Sequence, residues 1–419
     1  MSLAARLAPA AVLALALASA PARAGDPVDL SVSAFGEIWR WDPDTGLAAP
    51  FATGMSIPFY GVWATDGFLY MPDRAFGVVW KISAAGVPTP FAAGGWLTSV
   101  VTVVQTPDGA LYCSDVFNGT IVRLGADGSQ TLVADEFSSG GLLLTPGGLT
   151  TDLDGRLFVA NNLADTIASV DPATGAVVLV SDGQGLLNAP GGLVADGAGN
   201  LFVANYGSGL ITRIRVDSGE ASVFCDDPTL ISPNDLRLMR AGGLRITSKN
   251  HKLAVIDATG QLTVLYDPQT LGELVGNVSP ADGPPCDGRY VTYGAGLAGS
   301  GGFVPELRAL FSPCPGASVA LEARALNGSA TGVLAWGLQP AALPFKGGQL
   351  LVNLGPPGGL VPLVFPGAGP GGGGLLLPFT LPGDALLTGV SFYLQLLASD
   401  PGAPKGVSLS NGLEERIGG

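Results

Sequence analysis

The sequence predicts an all-β protein: a six-bladed β-propeller followed by a β-sandwich. Three observations carry this. The 419 residues include 63 Gly and 33 Pro, a density that breaks helices, and no window shows a sustained 3.6-residue apolar period. A turn ending in Gly recurs six times. Past Gly288 that recurrence stops, while short apolar runs of strand length continue between Gly/Pro clusters.

Residues 1–24 are set aside first. Arg6 opens the segment, Leu7–Ala20 is apolar, and Ala22-Arg23-Ala24 gives an A-x-A cleavage pattern, which reads as a secretory signal peptide. The apolar run is too short, and too interrupted by Pro9, for a membrane anchor. No later segment reads as transmembrane. The expected location is outside the cytoplasm: extracellular, periplasmic or at the cell surface.

The propeller is expected over residues 25–287. Its turns read "DPDTG", "SAAG", "GADG", "DPATG", "VDSG" and "DATG", and their last glycines are Gly46, Gly86, Gly128, Gly175, Gly219 and Gly260, spaced 40, 42, 47, 44 and 41 residues apart. In most of them Asp caps the turn and the final Gly supplies a positive φ. Around each turn the order repeats: a Pro/Gly loop and short strand such as "PGGLTTD", a tight turn, a strongly apolar strand such as "LFVAN", a third strand such as "LITRIRV", the Asp/Gly turn and a last strand. Four strands in about 43 residues is the size of a propeller blade. "LFVAN", at Leu157–Asn161 and Leu201–Asn205, lacks polar alternation. It is therefore read as an inner strand buried on both faces. Its terminal Asn161 and Asn205 share a slot with Asp115 and are read as turn caps. The first blade lacks its innermost strand, which Leu274–Ala281 is expected to supply from the far end, removing the ring's open edge. Arg289–Tyr293 is assigned to the next domain, with seven blades as the alternative.

Residues 288–419 form the expected sandwich. Runs such as "SVALEARAL", "QLLVNL" and "TGVSFYLQLLASD" are of strand length and apolar enough to build a core. "GAGLAG" at Gly294–Gly299 matches a dinucleotide fingerprint, but two Gly and Pro305 follow where a helix must open, so it is read as a loop.

Four cysteines, Cys113, Cys225, Cys286 and Cys314, allow three pairings. Cys286 and Cys314, nearest in sequence, are the favoured pair, and Cys113 reads as a buried thiol. Net charge is −14, and loss of Arg6 and Arg23 with the leader makes it −16. Such a surface repels phosphate backbones, which argues against nucleic-acid binding.

"PGGLTTDLDGRLFVANNLADTIASVDPATG" resembles the NHL-repeat and SMP-30/gluconolactonase group of six-bladed propellers, over roughly Val28–Ala281. "ISPNDLRL" at Ile231–Leu238 is similar to the "SPND" segment of gluconolactonase-like enzymes, whose Asn helps bind a divalent metal. The resemblance implies Asn234 as a metal ligand, with Asp235 beside it and Asn277 as the other polar group at a comparable point. Ca²⁺ takes such oxygen ligands. Where that group carries a Glu and a catalytic Asp, this chain offers Tyr60, Ser99 and glycines. The C-terminal domain resembles Gly/Pro-rich end modules of large secreted bacterial proteins.

The sole His, His251, sits in the polar turn "SKNHKL", away from where a triad would need it. Phe59–Tyr60 and Trp39/Trp41 are candidates to line a groove, although Trp39 and Trp41 share one strand face and are read as packing between blades. Asn118, Asn277 and Asn327 open N-x-S/T sequons. The expected function is a monomeric, non-catalytic binding or surface-interaction module, taking a small molecule, glycan or protein at the propeller face. The alternative is a Ca²⁺-dependent lactonase-like hydrolase centred on Asn234 and Asp235.

Overall fold

The computed structural model describes residues 28–32, 36–42, 45–239, 242–250, 252–267, 274–278 and 288–418. Segment 1–24, His251 and Cys286 lie outside them, as does the side chain of Asn277. The described residues fall into two compact units, one built from 28–239 and 243–278, the other from 288–418 together with Gly242.

The first unit holds six four-stranded antiparallel sheets, the blades of a propeller. Blade 1 runs outward from Leu274–Val278 through Val28–Val32, Glu37–Asp42 and Leu47–Ala52. The ring is thus closed by pairing across its two ends, with Leu30 opposite Asn277 and Ser31 opposite Gly276. Blades 2 to 6 begin with the innermost strands Val62–Trp63, Val100–Gln105, Pro146–Thr151, Pro190–Ala195 and Pro233–Leu238. Arg289–Tyr293 pairs instead with Val407–Arg416 in the second unit, so six blades are present among the described residues.

"LFVAN" is an inner strand as expected, the second of blades 4 and 5, and the "PGG" run before it is the innermost. Crowding at the axis decides this. A Cβ on Gly148 would collide with the Gly191 carbonyl, and one on Gly192 would stand 2.6 Å from Cα of Asp235. Only glycine lets the inner strands approach so closely.

The apolar character of LFVAN has the expected cause. Leu157 and Val159 pack toward blade 3 with Val104, Tyr112 and Ile121. Phe158 and Ala160 pack toward blade 5 with Leu193, Leu201 and Val203. Each face of the strand meets a different neighbour, so every position is buried. Full burial of a side chain such as Phe158 contributes about 2–3 kcal/mol. Cys113 belongs to the layer between blades 2 and 3, a free buried thiol, as is Cys225, whereas Cys314 is disulfide-bonded. Trp41 is buried and Trp39 packs beside it, against Leu30, Val32 and Leu253 of blade 6. The six turn glycines all have positive φ, from 68° at Gly46 to 87° at Gly260. Five of them, from Gly86 on, also press against a carbonyl of the preceding blade's outermost strand, leaving no room for a Cβ.

The second unit contains antiparallel sheets of five, three and two strands. Ala335, Leu350, Leu397 and Leu409 form a core between the five-stranded sheet and the ribbon of Pro340–Phe345 and Gly348–Val352. Two amides, Gln395 buried and Asn411 half-buried, fasten the sheets together. Gln395 donates to the carbonyls of Gln349 and Ser410 and accepts from Leu351 N–H. Asn411 exchanges both kinds of hydrogen bond with the Leu307 backbone, in the three-stranded sheet. Gly294–Gly299 is loop, followed only by the three-residue 3-10 turn Ser300–Gly302 and not by the helix a dinucleotide fingerprint needs.

Glu415 is buried in this unit, and burial pushes its carboxyl up to about 8, against the pull of the Tyr290 hydroxyl. The folded chain therefore holds a proton that the unfolded chain releases near 4.5. The stability this contributes is complete below that value and is lost as pH rises toward 8. Urea unfolding at pH 5, 6.5 and 8 should show Glu415→Gln gaining on the wild type by about 1.4 kcal/mol per pH unit. A constant difference between the two proteins would contradict this account.

Candidate functional site

In each blade the first strand runs away from one face of the ring and the second returns to it. The loops after second strands and the loops leading into first strands therefore share that face, the loop face. Four of these corners are held by one device. The last residue of the second strand is Asp73, Asp115, Asn161 or Asn205 in blades 2 to 5, each fully buried.

Asp115 Oδ2 accepts the backbone N–H groups of Thr98 and Ser99, both at 2.6 Å, and Oδ1 accepts those of Phe117 and Asn118. Asp73 does the same for Ser56, Ile57 and Ala75. The amides work in both directions. Asn205 accepts from Asn188 N–H and donates to the Leu210 carbonyl and the Thr212 hydroxyl, and Asn161 donates to the Leu142 carbonyl. The capping role expected for Asn161 and Asn205 is what the structure shows, and it fastens the loop that leads into the same blade.

These loops enclose a cavity of about 840 Å³ at the mouth of the central channel. Phe59, Tyr60 and Arg74 supply one wall, Ser99, Val101 and Phe117 the next, and Gly147, Asn162, Leu163, Gly191, Tyr206 and Asn234 complete it. The glycines expose backbone where bulkier residues would fill the space. Each innermost strand of blades 3 to 6 has an irregular register at this level, between Val100 and Thr102, Pro146 and Leu149, Pro190 and Leu193, and Pro233 and Asp235. Such bulges turn backbone toward the channel.

Tyr60 is the pivot of the wall. Its N–H donates to the Val101 carbonyl and its own carbonyl accepts from Val103 N–H, so it joins blade 2 to blade 3. Burial, reinforced by the nearby Asp235 carboxylate, holds its phenol far above the ordinary range, so it stays a neutral hydroxyl. Lys249 Nζ donates to the Tyr206 hydroxyl at 3.0 Å on another side.

Asn234 lines the cavity and Asp235 lies one residue deeper. Asp235 forms an ion pair with Arg237 at 3.2 Å. Arg237 also donates to the Gly61 carbonyl in the lead-in to blade 2, at 3.0 Å. The carboxylate implied as a metal ligand thus already faces a guanidinium. Sequence reasoning passed over Arg237, yet its signal was present: residues 235 and 237 share one face of a strand. The structure does not test Asn277, because its side chain lies outside the described residues. Among the described residues no cluster of three or more His, Cys, Asp or Glu is placed to hold a metal. Phe59 and Tyr60 do line a concave surface, whereas Trp39 and Trp41 pack between blades.

Replacing Asp115 by Ala should cost about 3 kcal/mol, because several backbone N–H groups lose a buried charged acceptor together. Asp115→Asn, which keeps an acceptor, should cost less. Urea unfolding of both variants measures this, and equal losses would refute the assigned role.

No family model and no curated protein matches the chain. Among solved structures it is similar to a chain of the nidogen/laminin complex, at 18% identity and a TM-score of 0.52, covering 60% of this chain and 97% of that one. A virginiamycin B lyase from Staphylococcus aureus is similar at 14% identity and a TM-score of 0.47, covering 62% of this chain and 93% of the lyase. A gluconolactonase from Xanthomonas campestris is similar at 18% identity and a TM-score of 0.47, covering 62% of this chain and 91% of the enzyme. At these identities likeness speaks to fold alone, and it agrees with the first unit being a β-propeller.

Proposed function

We propose that the protein is an exported, non-catalytic binding module whose ligand sits in the cavity of the loop face. In this reading residues 1–24 direct export and 288–419 form a β-sandwich appended to the binding domain. One observation carries the proposal. Of the described residues that line the cavity, Arg74 alone is charged, and the acid nearest its floor, Asp235, is neutralised by Arg237. Glycine backbone, aromatic walls and neutral hydroxyls and amides are the surroundings of a recognition pocket. General acid–base chemistry needs a titratable group within reach of the substrate and with a pKa near the working pH, and the Tyr60 hydroxyl is held far from that. The nidogen/laminin neighbour, itself crystallised as a complex, is compatible with this reading.

Thermal-shift measurements on the full chain, against soluble oligosaccharides, aryl and alkyl carboxylates and lactones, with and without CaCl₂, test it. A stabilising ligand is expected, with no lactone turnover. Gly147→Leu should abolish the shift: a side chain there points into open cavity, its Cβ standing 3.6 Å from the nearest protein atom, the Ala160 carbonyl oxygen. A Ca²⁺-dependent rise in melting temperature that Asn234→Ala removes, accompanied by lactone hydrolysis, would establish the lactonase reading instead.

A further inference from the structure

The two faces of the ring differ in chemistry. On the turn face lie the exposed aspartates Asp127, Asp171 and Asp217, and the large apolar side chains exposed among its described turn residues are Leu47 and Val87. The loop face carries every exposed aromatic of this unit's described residues. Phe76, Trp96, Phe117, Phe137, Leu163 and Ile231 are 64, 43, 80, 92, 76 and 56% exposed, all on loops of this one face. Scattered apolar residues need no explanation, but the concentration of all the unit's exposed aromatics on one face marks an interaction surface.

Their positions set the size of what binds. Phe117 and Leu163 border the cavity, whereas Phe76, Trp96, Phe137 and Ile231 do not line it. A ligand confined to the cavity cannot cover these four. The occupant must be broad enough to span the corners of blades 2 to 6.

Charge identifies its kind. The loops of this face between Gly94 and Ser232 contain Asp135, Glu136, Asp165, Asp182, Asp226 and Asp227, and no Lys or Arg. Two of these acids adjoin Phe137 in sequence, and Asp165 follows two residues after Leu163. The cations in the described loops of this face belong to blades 2 and 6: Arg74 lines the cavity, Lys249 is held by the Tyr206 hydroxyl, and Lys252 lies beside the third strand of blade 6. An anionic lipid surface would be repelled by such loops. A polypeptide with apolar anchors flanked by Lys or Arg would be complementary in both respects.

We propose that the loop face docks a basic protein segment, its apolar anchors seated on Phe117, Phe137, Leu163 and Ile231 and its cations facing Glu136, Asp165 and Asp226. The proposal rests on the binding-module reading and names the partner of the same face.

A phage-displayed random peptide library selected on the immobilised full chain tests it. An enriched peptide is then synthesised and titrated by fluorescence anisotropy. Enriched sequences should pair aromatic or leucine anchors with Lys or Arg. Binding should weaken at least tenfold in Phe137→Ser/Ile231→Ser, and about fivefold in Glu136→Lys/Asp226→Lys. It should also weaken as salt rises from 50 to 300 mM, as screening requires. Both double variants change exposed side chains outside the cavity and should melt like the wild type. Failure to enrich any peptide, enrichment of acidic or uncharged ones, or unchanged binding by Phe137→Ser/Ile231→Ser would each overturn the proposal. So would sedimentation with phosphatidylcholine vesicles that Phe137→Ser/Ile231→Ser abolishes, which would assign the face to a membrane. In any of these cases a cavity ligand blocked by Gly147→Leu would still leave the binding-module reading standing.

Discussion

A carboxylate or amide removed from water must find its hydrogen bonds inside the protein. In this propeller that requirement shapes the functional face. Asp73, Asp115, Asn161 and Asn205 end the second strands of four successive blades with no exposure to solvent. Groups that satisfy them come from the loops that lead into those blades and, in blades 2, 3 and 5, also from the residues just beyond the same strand. A lead-in loop has few backbone partners of its own, since it passes from the outer edge of one blade to the axis of the next. The buried side chain supplies what a sheet ladder would otherwise supply. The cavity walls are made of these same loop segments, so the precision of the pocket derives from the strand ends behind it.

Aspartate and asparagine meet the requirement differently. A carboxylate can only accept, so Asp73 and Asp115 gather N–H groups. An amide must also donate, and Asn161 and Asn205 turn their Nδ2 toward carbonyls and a threonine hydroxyl. The lead-in to blade 3, Gly94–Ser99, offers Asp115 two amides, that of blade 4 offers Asn161 the Leu142 carbonyl, and in blade 5 Asn205 takes the Asn188 N–H from the lead-in and gives its own protons to Leu210 and Thr212 beyond the strand. Identity at one buried position thus follows from the path of the chain around it.

Much of the ring is legible in the sequence because its constraints are local. A turn glycine that needs positive φ, and that also abuts the neighbouring blade, cannot drift to another residue, so the period of about 43 survives at Gly86, Gly128, Gly175, Gly219 and Gly260. The closing strand is legible as well, and Leu274–Val278 pairs with Val28–Val32 as expected. The order of strands within a blade is legible for a related reason: the apolar character of LFVAN reports contact with two neighbouring blades, whereas nearness to the axis demands the small residues of the "PGG" run before it. The cavity is less legible. Its walls come from single residues on loops of different blades, such as Tyr60, Asn162 and Tyr206, and no periodicity links them.

Blade 6 shows why the repeat breaks where it does. In blades 4 and 5 a Gly-Gly pair lets each inner strand lie against the next, Gly148 against Gly191 and Gly192 against Asn234 and Asp235. Past blade 6 the next inner strand is the closing one, whose Gly276 approaches the Phe59 carbonyl ahead of blade 2. On blade 6 itself the larger residues Asn234 and Asp235 take the place of the Gly-Gly pair. Asp235 brings a charge there, and Arg237, two residues on along the same strand face, neutralises it and reaches Gly61 beyond the closing strand. The bridge joins the last full blade to the second, across the one junction made by chain ends. A buried pair of this kind adds little net stability over an apolar packing of the same shape, but leaving one member without the other is costly. Asp235 and Arg237 are thus best understood as a single lock on the ring's closure. Asn234, one position nearer the loop face, is left to form part of the cavity wall.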